Sequence, residues 1–223
     1  NINPVHYEYA KQALENGKHV ILEKPSCVHS WQTRELLSIA QQKKLFVFEA
    51  VTSIHNPNFH HIKEDIQKIG EIKLVQANYS QFSSRYNAYT QENILPAFDP
   101  KLYGGALYDV NVYNINVVVG LFGEPQAVQY NANIGYNGID TSGTVFMRYP
   151  GFFAHCTAAK DSESPGHVTI QGDKGCIEVH GPTNTFYDYS LYFYDTKKET
   201  RHRYSQYEHR MVHEFMEFEE MIL

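Results

Sequence analysis

Two short apolar runs at residues 19–22 and 45–50 are separated by a single amphipathic stretch, and this arrangement constrains the fold more than any other feature of the chain. The intervening segment opens at Ser30, read as a helix cap, and places Thr33, Leu36, Leu37 and Ala40 on one face at helical spacing. A crossover of that length brings two strands parallel, which a tight turn cannot do, so the unit reads as βαβ. An earlier helix is predicted from Asn3-Pro4, a cap followed by the residue preset for a first helical turn, to a stop at Gly17. Residues 1–50 are therefore expected to be the last elements of a doubly wound, Rossmann-type domain.

After residue 50 the periodicity changes. Asn56-Pro57 starts a helix carrying Phe59, Ile62, Ile66 and Ile69, closed by Gly70, and residues 72–82 then alternate like a half-buried strand. A polar, aromatic loop runs to Tyr103. Gly104-Gly105 opens a helix to Phe122, and β-rich runs fill 126–204, including the Tyr-rich stretch 187–194, which suits a pleated surface. A last helix over 208–222 aligns Met211, Phe215, Phe218 and Ile222. Strands following a helix argue for an α+β domain over 51–223. The fold class is thus α/β plus α+β: a Rossmann remnant followed by an antiparallel-sheet substrate domain with helices on one face. The uncovered face of such a sheet is expected to pair with a second copy of the chain, making a homo-oligomer, at least a dimer.

A formal charge of −6 with no Lys/Arg cluster excludes nucleic acid as an expected partner. The longest apolar stretch, 117–122, contains Gly120 and falls far short of the roughly 20 residues that span a bilayer, so no membrane partner is expected. Cys27, Cys156 and Cys176 are odd in number and widely spaced, which fits a reducing cytoplasm and no CxxC metal knuckle. His209 and His213 lack a third ligand, so no metal is expected. No initiator Met or signal segment opens the sequence, and its last residues fall inside a predicted helix. Truncation of a longer protein at both ends is expected.

Glu23-Lys24-Pro25 follows a parallel strand, where open α/β sheets bind ligands, and the proline keeps Lys24 extended. Taken alone the tripeptide is as well read as a surface turn. Further on, Asp109 and Tyr113 are expected to share one face of the helix opened by Gly104-Gly105, and a carboxylate within that apolar run demands a partner. Together Glu23-Lys24-Pro25 and Gly104-Gly105-Ala106-Leu107-Tyr108-Asp109-Val110-Asn111-Val112-Tyr113 resemble the signature pair of the glucose-fructose oxidoreductase/inositol dehydrogenase (Gfo/Idh/MocA) family. The opening Asn3-Pro4-Val5-His6-Tyr7-Glu8 and the late stretch Thr169-Ile170-Gln171-Gly172-Asp173-Lys174-Gly175-Cys176-Ile177 are similar to further segments of that family, in the same order.

The resemblance implies an oxidoreductase moving a hydride between NAD or NADP and a carbinol or carbonyl carbon of a sugar, polyol or dihydrodiol. It implies Lys24, Asp109 and Tyr113 as the catalytic set, Tyr113 exchanging the hydroxyl proton with its acidity raised by Lys24. Asn3, His6, Glu23, Lys24 and Pro25 would meet the cofactor, although Asn3 is also explained as a helix cap, and His55 and Arg85 would contact substrate. Asn111 stands where the family often has glycine, which bears on close approach there. No G-x-G-x-x-G occurs in the sequence, so the phosphate cradle is expected upstream. The rival readings are a regulator of the same family that binds nucleotide and sugar without turnover, an NAD-dependent glycoside hydrolase of the same fold, and an unrelated α+β binding module.

Overall fold

The computed structural model describes residues 2–223; Asn1, the first residue of the expected 1–50 unit, lies outside the described residues. In chain order the elements are α1 (His6–Glu15), β1 (Val20–Glu23), α2 (Ser30–Lys43), β2 (Val47–Ala50), α3 (Pro57–Asp65), β3 (Ile72–Ser80), α4 (Tyr86–Thr90) and α5 (Val112–Phe122). Seven strands follow: β4 (Ala127–Ile134), β5 (Asp140–Tyr149), β6 (Phe152–Ala159), β7 (His167–Gly172), β8 (Gly175–His180), β9 (Asp188–Phe193) and β10 (Glu199–His202), before α6 (Val212–Ile222). Among the described residues no helix is long and apolar enough to cross a membrane.

β1 and β2 pair in parallel, Val20 opposite Val47 and Glu23 opposite Ala50, with α2 as the crossover. Leu14 of α1 and Leu36 and Ala40 of α2 bury against Val20 and Leu22, forming a small core of their own. Two local expectations change here. Gln32 Oε1 accepts the His29 backbone N–H at 3.1 Å, so His29, one residue earlier than expected, occupies the cap position of α2. Asn3-Pro4-Val5 forms a 3-10 turn in which Asn3 caps nothing; its carboxamide donates instead to the Tyr103 carbonyl at 2.9 Å.

The second sheet runs in the order β10-β9-β8-β7-β3-β6-β5-β4. Every neighbouring pair is antiparallel except β3 and β6, which run parallel with Tyr79 opposite Ala158. Alternation puts one residue in two on the covered face. A row of Val145, Cys156, Ala77, Val168, Val179 and Tyr189 crosses the sheet there. Phe59 and Ile62 of α3, Ile69 of the following turn, and Val117 and Val118 of α5 close over it. Each such side chain stabilises the fold by about 1.5–3 kcal/mol on burial. As the Asn56-Pro57 pair suggests, Asn56 caps α3 by accepting the Asn58 N–H at 2.9 Å.

The opposite face is mixed. Gln76, His155, Thr169 and Glu178 lie beside Phe146 and Phe153, which are 45% and 60% exposed. The terminal helix begins at Val212 rather than 208, and of the four aligned apolar residues only Phe218 is buried, stacked on Phe48 with ring centroids 4.4 Å apart. Its other inward residue is Glu214.

Candidate active site

Lys24 leaves the carboxyl end of β1, Tyr79 lies near the carboxyl end of β3, and Lys160 follows directly on β6. The ends of strands from both sheets therefore converge on one place, and the segment after Gly104-Gly105 passes between them. Gly105 makes that passage possible: its φ is 92°, and a Cβ there would lie 1.9 Å from Asp140 Oδ1. The same carboxylate accepts the Leu107 N–H at 2.6 Å and so holds the start of the helix. Residues 107–111 wind as a π-helix before α5 begins, a wider turn than the sequence periodicity suggests. Asn111, standing where glycine was expected, is fully buried; it donates to the Cys156 carbonyl at 2.9 Å and accepts from Asn114 Nδ2 at 2.9 Å, tying the turn to β6.

Asp109 is the centre of the charged cluster. Lys24 Nζ donates to its backbone carbonyl at 2.5 Å and to Oδ1 at 3.2 Å, while Lys160 Nζ lies 2.8 Å from Oδ2. Burial pushes the Asp109 carboxyl up, but Lys160 and Lys24 outweigh it and hold the group below the usual carboxylate range. Lys160 is 2% exposed; it also donates to the Ala97 carbonyl at 2.6 Å and lies over the Phe98 ring, 4.4 Å from its centroid. Burial lowers its pKa and Asp109 opposes that shift. Tyr113 is buried with its ring 5.0 Å from Lys24 Nζ and 5.9 Å from the Tyr79 ring.

Two cavities meet at this cluster, and Lys24, Arg85 and Asp109 line both. One, of about 290 Å³, is bordered by Asn3, Pro25, Gly104 and Tyr108. The other, of about 280 Å³, is bordered by Tyr79, Gln81, Tyr113, Lys160, Asn184 and Arg210. Lys24, Arg85 and Asp109 thus stand where the two cavities meet, with Tyr113 on the second cavity's side only.

Lys24, Pro25, Asn3, Arg85, Asp109 and Tyr113 are brought together as the sequence suggests. The remaining three are not. His6 is buried behind the cavity, its Nδ1 3.0 Å from the Pro25 carbonyl, and its Nε2 has no partner among the described residues. Glu23 is exposed and borders neither cavity, because strand alternation turns it away from its neighbour Lys24. His55 belongs to a different cleft: its Nδ1 lies 2.8 Å from Glu217 Oε2, and its ring packs edge-on against Phe218. The docking of α6 draws it there, and it does not face Lys24.

Lys160, Tyr79, Gln81, Asn184 and Arg210 were not foreseen. A signal existed for the first two. On β6 the alternate residues Ala154, Cys156 and Ala158 are buried, and the same parity carries Lys160 to the covered face; on β3 Val75 and Ala77 point the same way to Tyr79. Among the described residues no group of three His, Cys, Asp or Glu side chains is placed to hold a metal ion.

Residues 2–51 match the family model of the oxidoreductase family with an NAD-binding Rossmann fold, and residues 59–178 match that of the GFO/IDH/MocA C-terminal domain. The scyllo-inositol 2-dehydrogenase (NADP(+)) of Bacillus subtilis is 38% identical over 79% of this chain and 54% of its own length. The trans-1,2-dihydrobenzene-1,2-diol dehydrogenase of Xenopus laevis is 29% identical over 80% of this chain and 53% of its own. The chain spans about half the length of the curated relatives it matches. Among solved structures, levoglucosan dehydrogenase in complex with NADH and levoglucosan superposes with a TM-score of 0.78 at 20% identity, covering 92% of this chain and 59% of that one. An inositol dehydrogenase homolog complexed with NAD+ from Azotobacter vinelandii gives 0.78 at 17% identity, covering 91% and 55%. These last two likenesses concern the fold alone.

Proposed function

The chain belongs to the GFO/IDH/MocA oxidoreductase family, and from that premise we propose that the whole protein is an NAD(P)-dependent dehydrogenase of a sugar or polyol, with Lys24, Asp109 and Tyr113 as its catalytic set. The observation that carries the reading is the partition between the two cavities, where Lys24 and Asp109 face both and Tyr113 faces one. Cofactor and substrate must meet across such a partition for a hydride to pass between them.

Asn3, Lys24, Pro25 and Tyr108 fit the nicotinamide end of a dinucleotide: they border the first cavity at the end of a parallel strand, and the orphaned His6 Nε2 lies behind it. When bound, the cofactor supplies the acceptor or donor of a hydride. The protein's part is the proton and the geometry. In reduction the Tyr113 hydroxyl donates its proton to the carbonyl oxygen as hydride reaches the carbon; in oxidation its phenolate takes the proton from the carbinol as hydride departs. The Lys24 ammonium lies over the Tyr113 ring and presents a further N–H to the substrate oxygen. Asp109 orients Lys24, and Lys160 fixes Asp109 from the other side.

Residues 1–50 and 51–223 are read as cofactor-binding and substrate-binding units, and the mixed outer face of the large sheet as the contact with a second copy. The direct test is initial-rate spectrophotometry at 340 nm with NAD+ or NADP+ and a panel of inositols, aldoses and dihydrodiols. Turnover abolished in Lys24→Met and Tyr113→Phe supports the assignment; near-normal turnover in Tyr113→Phe would overturn it.

A further inference from the structure

The charges around the second cavity do not balance. Lys24, Arg85, Lys160 and Arg210 border it, against the single carboxylate of Asp109. Asp109 pairs with both lysines, so the two guanidiniums are left over. Arg85 has no ion pair or side-chain hydrogen bond among the described residues. Arg210 donates one N–H to the Asn184 carbonyl at 3.2 Å, which leaves most of its donors free and contributes no negative charge. Glu214 is the acidic group whose field reaches Arg210, yet its two oxygens have no hydrogen-bond partner. Burial pushes that carboxyl up to about 7, so it is a weak counter-charge at neutral pH.

Building on the dehydrogenase reading, we propose that the substrate carries an anionic group, a sugar acid or a sugar phosphate, which Arg210 binds with Arg85 while its hydroxyls meet the wall between them. A guanidinium presents paired N–H donors that match two oxygens of a carboxylate or phosphate; Arg210 is half-buried and Arg85 exposed at the cavity rim. The surrounding wall suits the rest of a polyhydroxylated molecule: Gln81 and Asn184 offer amides, and Asn184 Oδ1 is buried with no partner among the described residues. A neutral polyol in the same place would leave the half-buried Arg210 guanidinium on the cavity wall without an anionic partner. Arg210 is the anchor, because it borders the second cavity alone, whereas Arg85 also borders the first.

Binding separates this inference from the reading beneath it. D-gluconate, D-glucuronate and D-glucose 6-phosphate, with D-glucose and myo-inositol as neutral controls, are titrated into the protein by calorimetry at low and physiological salt. At least one of the acids is expected to bind about tenfold or more tightly than the neutral compounds, the advantage shrinking with salt. Preference for carboxylates over the phosphate, or the reverse, identifies the anion. In Arg210→Gln the advantage should fall to near parity, Arg210→Lys should restore part of it, and unaltered melting of these variants shows that the fold is kept. Equal affinity for acids and neutral compounds, no binding of any acid, or a preference that survives in the Arg85→Gln/Arg210→Gln double variant would each overturn the inference. Oxidation of neutral polyols without acid preference sinks this proposal alone; acid binding with no hydride transfer under any condition sinks only the dehydrogenase reading.

Discussion

Lys160 Nζ lies 2.8 Å from Asp109 Oδ2, so a lysine with almost no solvent contact shares one carboxylate with Lys24 on its other oxygen. Removing the carboxylate therefore strands a buried ammonium whose remaining partners are the Ala97 carbonyl and the Phe98 ring. Asp109→Asn is expected to cost about 3 kcal/mol or more, a fall in Tm of roughly 6–12 °C for a chain of this size. Lys160→Met removes the charge together with its desolvation cost and leaves Lys24 on Asp109, so its loss of stability should be smaller. Thermal melts of both variants test the order; a more stable Asp109→Asn would show that the pairing is incidental.

Lys24 and Tyr113 are expected to act as one unit because the ammonium sits over the ring of the proton donor. Each single change, Lys24→Met or Tyr113→Phe, should lower kcat by about a hundredfold to ten-thousandfold. The double variant should be little worse than the more damaging single one, since their effects do not add. In Tyr113→Phe the loss should fall on kcat in both directions of hydride transfer, with KM little changed. A kcat that persists in Tyr113→Phe would move the proton transfer to another group.

Local periodicity made the two-sheet plan legible, because βαβ spacing and strand alternation are written in neighbouring residues. Lys24 stands before Pro25 at the end of β1, and Asp109 and Tyr113 lie one turn apart after Gly104-Gly105; the resemblance to the family's motifs made this set legible. What sequence spacing does not encode is which distant strand ends meet. Strand parity points Lys160 to the covered face, but that it meets Asp109 follows only once β6 is known to lie parallel to β3, and Arg210 lies outside every regular element. The π-helical turn at 107–111 was equally hidden, and the Asp140 carboxylate that accepts the Leu107 N–H at its start comes from a remote strand. His55 went astray through α6, whose inward face is Glu214 and Phe218 rather than the whole apolar stripe.

The proposed self-association through the outer sheet face would rest on Phe146 and Phe153, the large apolar side chains exposed on the adjoining strands β5 and β6. Burying a phenylalanine contributes about 1.5–3 kcal/mol, and a twofold interface counts it twice. Phe153→Asp should therefore weaken a dimer by roughly a hundredfold or more, moving sedimentation velocity from dimer to monomer at micromolar concentration. A wild-type protein that stays monomeric at tens of micromolar would remove the basis for the assignment.

Glu214 gives the fold a pH dependence whose sign follows from its surroundings. Burial and the field of Glu23 from the end of β1 raise its pKa to about 7, and Arg210, from the segment before α6, opposes the shift. The ordinary value for a glutamate is about 4.3, so the folded state holds the proton more tightly than the unfolded one. The stabilisation is therefore complete below about pH 4.3, declines as pH rises through about 7, and is spent above it. Glu214→Gln keeps the shape of the protonated acid without its titration. Its Tm should fall less between pH 5 and pH 7 than that of the wild type, and at pH 8 it should melt higher by about 2–4 °C for each kcal/mol relieved. Differential scanning calorimetry of the two proteins across that range decides the matter: parallel curves would show that Glu214 is ionised in the fold, and that Arg210 has its counter-charge after all.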